Sequence, residues 1–305
     1  MSAALDAWLA AVRAGAARAQ AGAFAHHVSV RATTGSTNDE VARAAVEGAP
    51  EGYTVIAAEQ TAGRGRRGAS WHSPAAHGLY VSTLLRPDRW SALAGEQGAA
   101  ASSLVTLMAG VAVAEAVREA CGAAVELKWP NDVMVRSRRQ SAVDNRQAGL
   151  PSAQPGWRKL AGILAEGASD GGVLRTVVVG VGINVLRSDA PPDVAARMIT
   201  LEDLAPASCE PLALVSAVVA ALLERMHTGV GALAAGDLVR VRESWLALAP
   251  SVDGTPVRWH HHGVTHSGRA RGIDQSGALR VQVAAAAEML VHGGEVEWLL
   301  EGVGA

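Results

Sequence analysis

Lysine occurs twice in this 305-residue chain, at Lys128 and Lys159, while the total of 27 Lys+Arg leaves arginine at every other basic position. Each lysine sits in a compact motif: Leu127-Lys128-Trp129-Pro130-Asn131-Asp132 and Lys159-Leu160-Ala161-Gly162-Ile163-Leu164. A chain that uses arginine wherever a plain surface cation would serve, yet keeps lysine here, points to a need for a compact charge on a flexible stem. Phosphate chemistry creates such a need. A third cationic group is Gly63-Arg64-Gly65-Arg66-Arg67-Gly68, with Glu59-Gln60-Thr61-Ala62 before it and Trp71 after it.

That loop matches G-x-G-x-x-G letter for letter, but dinucleotide binding also needs a helix opening inside the motif. Here Ala69-Ser70-Trp71-His72-Ser73-Pro74 follows, without helical period and ending on proline. Arginines also fill positions where a packing helix wants small or apolar residues. The dinucleotide reading is rejected. Three glycines let the backbone approach a ligand, and three arginines supply forked donors for phosphate or carboxylate. Mutual repulsion and glycine entropy oppose folding of the free loop, so a cover that orders on binding an anion is expected. A solvated basic turn or an RNA-touching Arg-Gly segment is the competing reading; the preceding Glu59-Gln60-Thr61-Ala62 and the following Trp71 speak for the lip and wall of a pocket.

Five segments, in order, resemble those of biotin protein ligases: Gly35-Ser36-Thr37-Asn38, Glu59 through Gly68, Lys128-Trp129-Pro130-Asn131-Asp132, Lys159 through Leu164, and Gly180-Val181-Gly182-Ile183-Asn184. A sixth, Ala270-Arg271-Gly272-Ile273-Asp274, resembles the family's C-terminal SH3-like module. The resemblance implies an α+β fold: a mixed, largely antiparallel central sheet with flanking helices, like the catalytic domain of class II aminoacyl-tRNA synthetases, plus a small C-terminal SH3-like β-barrel. It implies ATP-dependent ligation of biotin to a carrier lysine through biotinyl-5′-AMP. Ser36, Thr37, Asn38 and Gln60 would then line the biotin pocket. Arg64, Gly65 and Arg66 would lie over the activated group, and Lys159 would reach biotin carboxylate and phosphate. Trp71, Lys128, Asn131 and Asn184 would serve ATP, with Trp71 near adenine. Lys159, Arg66, Lys128 and Asp132 would be the catalytic set.

These residue types suit that chemistry on their own terms. Joining a carboxylate to an α-phosphate brings two anions together, so fixed cations are what a site must supply. Arg66, Lys128 and Lys159 are the candidates, with Mg²⁺ arriving on ATP rather than in a protein metal site. Ser36, Thr37 and Gln60 offer hydrogen bonds to a ureido ring. A water-excluding cover would protect an intermediate prone to hydrolysis. A lipoate or related acyl ligase on the same scaffold, and a biotin-binding sensor without turnover, remain as alternatives. The expected partner is the biotin carboxyl carrier protein or domain of acetyl-CoA carboxylase or a related carboxylase. Some family members carry an N-terminal DNA-binding domain; the segment before Gly35 shows one helical pattern, so no sequence-specific DNA binding is expected. An edge strand of the main sheet is a candidate surface for a homodimer or for carrier docking.

Several elements must position these groups. Leu5, Trp8, Leu9 and Val12 predict a helix over 3–20. Thr37 with Glu40 fits a capping box and a helix over 38–47. Strands are predicted at 53–58, 78–86, 160–165 and 176–185, and helices at 100–121, 211–227 and 234–248. Residues 125–129 and 133–135 read as a hairpin around Pro130-Asn131-Asp132. Residues 136–158 read as an exposed insertion rich in Arg, Ser, Gln, Gly and Pro. A catalytic domain over 1–249 and a β domain over 250–305 are expected, with hairpin turns at Asp253-Gly254 and Gly293-Gly294.

Composition narrows the class. Half the residues are hydrophobic and the net charge is −2, which gives no electrostatic case for nucleic acid or membrane. No uninterrupted apolar run reaches the roughly 18 residues of a membrane span. Cys121 and Cys209 read as buried, reduced, cytosolic thiols, which places the chain in the cytoplasm. His260-His261-His262 with His266 lacks a cysteine or carboxylate partner at ligand spacing and reads as an exposed tract.

Overall fold

The computed structural model describes residues 3–90, 96–136, 156–261, 263–284 and 287–299, with side chains from 104 onward in the helix that opens at Glu96. A seven-stranded sheet is formed by β1 (Val28–Arg31), β2 (Thr54–Ala57), β3 (Gly78–Leu85), β4 (Glu126–Lys128), β5 (Asp132–Arg136), β6 (Trp157–Asp170) and β7 (Val173–Asn184). Its spatial order is β1-β2-β3-β7-β6-β5-β4. Among the described strands of this sheet, only the β1–β2 pair is parallel. The sheet is therefore mixed, as expected, and β1 is a strand the sequence patterning did not single out.

One face carries the main core. Val81, Leu85, Val179, Val181 and Ile183 point to helices α3 (Glu96–Cys121) and α4 (Pro211–Ala234), and α1 (Ala3–Arg18) packs on α4. Helix α5 (Leu238–Ala247) packs against α3. On the opposite face, α2 (Thr37–Val46) covers a smaller cluster of Val41, Val55, Leu84 and Val178. The half of that face left by α2 is where the chemistry-bearing residues gather. By length and composition α4 is a helix able to cross a bilayer, although the sequence shows no long uninterrupted apolar run. Leu214, Val218, Leu222, Met226 and Leu233 are instead buried in the protein core.

Strands β8 (Asp253–His261), β9 (Val264–Ile273), β10 (Leu279–Ala284), β11 (Ala287–Val291) and β12 (Val296–Trp298) form a second, antiparallel sheet of order β11-β10-β9-β8-β12. Trp129 ties the two sheets together: its buried indole Nε1 donates to Gly277 O at 3.0 Å.

Several expectations are corrected. Asp253-Gly254 is not a hairpin turn but the start of β8, at a register irregularity opposite Arg271 and Arg269. Gly293-Gly294 joins β11 to β12, which lie at opposite edges of the sheet, so it is a crossover rather than a hairpin. Arg136, Trp157 and Arg158 belong to strands rather than to the exposed insertion expected over 136–158: Arg136 closes β5 and Trp157-Arg158 open β6, paired across the strands. Residues 137–155 lie outside the described residues. Helix α3 begins at Glu96 and ends against Gly122, at φ 71°; α4 extends to Ala234, and α5 starts at Leu238. Cys121 and Cys209 are free but half-buried rather than buried.

Trp129→Phe keeps an aromatic ring in the core but leaves the Gly277 carbonyl unpaired. It is expected to cost about 1–3 kcal/mol, read as a lower midpoint in urea; an unchanged midpoint would show that the link between the sheets contributes nothing.

Candidate active site

The site floor is a single row of residues paired across the sheet. Lys128 pairs with Asp132, Asp132 with Gly162, Gly162 with Gly182, and Gly182 with Tyr80. Antiparallel partners point to the same face. Lys159, three residues before Gly162, would point the other way by strand periodicity. A register shift opposite Val133/Met134 inserts one extra residue, so Leu160 and Ala161 are both buried in the core. Lys159 thereby joins the Gly162 face, and a Cβ on Gly162 would lie 3.1 Å from Lys159 Nζ. The two glycines leave room for Trp71 to lie across the floor, since a Cβ on Gly182 would meet its ring at 2.7 Å.

The cations converge on one carboxylate. Lys159 Nζ lies 2.6 Å from Asp132 Oδ1 and 5.0 Å from the centroid of the Trp71 ring. Its backbone is held by Asn184, whose Nδ2 donates to Lys159 O at 3.1 Å. Arg66 Nη1 donates to Asn131 Oδ1 at 3.2 Å, and Asn131 Nδ2 donates to Ile163 O at 3.0 Å. Burial pushes the Lys128 ammonium below the ordinary lysine range, against the pull of Asp132, with Lys159 adding to the depression. Burial likewise lowers Arg66, opposed by Asp132. A cation kept partly desolvated beside other cations is poised to gain from an arriving anion.

Beside this cluster is a small pocket bounded by α2, the Gly-Arg loop, β6 and β7. Ser36, Thr37 and Asn38 are buried in its wall, joined by Gln60, Trp71 and Leu164. Gln60 Oε1 accepts from Thr37 N at 2.9 Å and Thr37 Oγ1 at 3.0 Å. Ser82 Oγ donates to Asn38 Oδ1 at 2.6 Å and sits 2.7 Å from the Thr37 hydroxyl. Thr37 is thus not the helix cap. Ser36 occupies the N-cap position without a side-chain cap bond, and Glu40 accepts from the Thr34 hydroxyl instead of completing a capping box.

The loop itself is engaged by the protein. Arg64 makes a forked pair with Asp39, 2.7 Å on each arm, and approaches Glu166 at 3.2 Å. Arg66 Nη2 donates to Gly294 O at 3.2 Å, and Arg67 Nη1 reaches Glu295 Oε2 at 3.4 Å. Gly65 N donates to Ala69 O at 2.6 Å. Repulsion among the arginines is therefore relieved by the chain's own acceptors, which the sequence-based picture of a loop awaiting an anion did not include. The structure brings most of the residues named from the sequence to this one face, together with Asp39, Ser82, Glu166 and Glu295, which the sequence reading did not name. Strand parity with Tyr80 marks Ser82; no local signal marks the three acids, which reach their partners across 25, 102 and 228 residues.

The sequence profile of the biotin/lipoate A/B protein ligase family matches residues 30–184, which contain α2, the loop and every strand of the site floor. The chain belongs to this family. A biotin–[acetyl-CoA-carboxylase] ligase of Paracoccus denitrificans is 32% identical over 279 residues, 86% of this chain and 99% of that one. The bifunctional ligase/repressor of Bacillus subtilis (strain 168) is 27% identical, over 84% of this chain and 69% of its own. Biotin protein ligase from Aquifex aeolicus in complex with biotin and ATP shares the fold: TM-score 0.68 at 22% identity, over 90% of this chain and 98% of that chain.

Lys128→Met is expected to raise stability at neutral pH. The folded state carries a desolvated ammonium whose pKa is depressed, so the unfolded chain binds the proton more readily and wild-type stability rises with pH up to the ordinary lysine range. Urea midpoints measured from neutral to alkaline pH check this; a midpoint that falls in Lys128→Met would show that the ammonium is net stabilising.

Proposed function

We infer that this chain is a biotin ligase that works in two steps. The biotin carboxylate oxygen attacks the α-phosphorus of ATP, giving biotinyl-5′-AMP and releasing pyrophosphate. The ε-amine of a carrier lysine then attacks the biotinyl carbonyl, forming an amide and releasing AMP. The observation that carries this reading is the convergence of Arg66, Lys128 and Lys159 on Asp132, beside a small pocket with a hydroxyl-and-amide wall. Biotin's uncharged ring suits the end built from Ser36, Thr37, Asn38 and Gln60, and its carboxylate suits the end that holds Lys159. The 32% identity to a biotin ligase over nearly that protein's whole length favours biotin over lipoate.

The barrier is dominated by repulsion between two anions and by charge developing on phosphorus-bound oxygens. Lys159 would meet both anions; its stem lies over Gly162 and Asn184 fixes its backbone. Asn131 orients Arg66, and both asparagines serve the nucleotide side by holding cations. Trp71 walls off the floor and offers a face for adenine. Mg²⁺ would supply charge neutralisation when it arrives with ATP, and Asp132, the carboxylate beside Lys159, would be the residue to meet it.

The acceptor is expected to be the biotin carrier domain of acetyl-CoA carboxylase or a related carboxylase, in the cytoplasm. Of the two sheet edges, β4 is engaged at Leu127, whose N–H donates to Leu248 O at 2.8 Å. Strand β1 is the edge better suited to docking a carrier or pairing with a second copy.

Lys159→Arg is expected to slow pyrophosphate release from biotin and ATP by more than about tenfold. A rate within about threefold of wild type, roughly 0.7 kcal/mol of barrier, would mean a guanidinium serves as well. Arg66→Gly is expected to let the adenylate escape, scored as labelling of bystander proteins; labelling confined to the carrier would contradict a retaining cover.

A further inference from the structure

Arg64 lies at the mouth of the pocket, and its charge is already spoken for. Asp39 comes from the first turn of α2 and takes both arms of the guanidinium at 2.7 Å. Glu166 comes from β6 and approaches Nη2 at 3.2 Å. Glu166 Oε2 also accepts from Asn38 Nδ2 at 2.5 Å, which fixes it to the pocket wall. The Arg64 hydrogen bond holds the Asp39 carboxyl below the usual carboxylate range, so this pair is charged at neutral pH. Two carboxylates thus face one guanidinium. Such a group is not an anion receptor; the cations left for a substrate carboxylate and phosphate are Arg66, Lys128 and Lys159.

We propose that Asp39 and Glu166 are positioning residues that clamp Arg64 to the α2–β6 wall at the pocket mouth, making the Gly63–Gly68 loop a latched cover that retains the activated intermediate. What is retained rests on the biotin-ligase reading; the clamp itself does not. Asp39 and Glu166 belong to different elements but meet beside Asn38, so Arg64 is tied to the wall that α2 and β6 share. All three side chains are partly exposed, at 36%, 54% and 43% for Arg64, Asp39 and Glu166. Exposed ion pairs contribute little to global stability. They must break whenever the cover opens, however, so their effect falls on local opening and on release. At the base of the cover, Gly65 N–H donates to Ala69 O and Trp71 N–H donates to Gly63 O, giving two amides that exchange when the loop comes away from its base.

The test compares wild type, Asp39→Asn and Glu166→Gln. Hydrogen exchange at the Gly65 and Trp71 amides is followed in protein without biotin or ATP. Each enzyme is then loaded with labelled biotin and ATP, and adenylate loss is followed after a chase of unlabelled biotin. Pyrophosphate release and urea midpoints complete the set. For Asp39→Asn, exchange at both amides and adenylate loss are expected to quicken about tenfold, the scale of one charged hydrogen bond. Glu166→Gln should shift both in the same direction by less. Pyrophosphate release within about threefold of wild type and an unchanged urea midpoint are expected alongside. Unchanged exchange and retention in both variants would overturn the clamp. So would tighter biotin binding by Asp39→Asn, which would make Asp39 a competitor of the substrate carboxylate. If wild type released no pyrophosphate, the ligase reading would fail while the exchange comparison still decided the clamp.

Discussion

Asp132 is the carboxylate that Lys159 touches and that Lys128 and Arg66 both feel, and holding several cations around one acid is costly unless packing enforces it. The enforcement comes from the sheet. Lys128 and Asp132 face each other because they are an antiparallel pair, and Lys159 reaches them because one extra residue in β6 reverses its side. Remove that bulge and the ammonium would face the core. The site's surplus of positive charge is thus a product of strand register, and it explains why the surrounding core must be rigid enough to resist relaxation.

The two ends of the site are chemically distinct. One end is neutral, a web of hydroxyls and amides from α2, Gln60 and Ser82 whose members orient one another. The other is cationic and partly desolvated. Gly162 and Gly182 lie between them, where any side chain would collide with Trp71. An uncharged ring at one end and two anions at the other is the substrate shape this division suits. The arginine loop spans both ends and also contacts the turn before β12, which joins the second sheet to the chemistry of the first.

Local sequence carried much of this. Helical periodicity located α1, α3, α4 and α5 because each buries a stripe in the core, and ends drifted by a few residues because caps are weak signals. The lysine motifs were legible because arginine bias made lysine conspicuous. Turn chemistry misled at Asp253-Gly254 and Gly293-Gly294: the same dipeptides serve bulges and crossovers, and only pairing decides which. Thr37 with Glu40 matched a capping box, yet tertiary partners at Gln60 and Ser82 took the threonine hydroxyl away. Local rules lost there to contacts distant in sequence.

By itself the sequence determined the residue types, their order and the need for anion-handling chemistry, because these depend on composition and short spacings. Tertiary structure alone decided that Lys159 turns toward Asp132, that two glycines clear a floor for Trp71, and that Asp39 and Glu166 seize Arg64. Each of those outcomes depends on strand register or on contacts between elements far apart in the chain, and neither is encoded in any local window of residues.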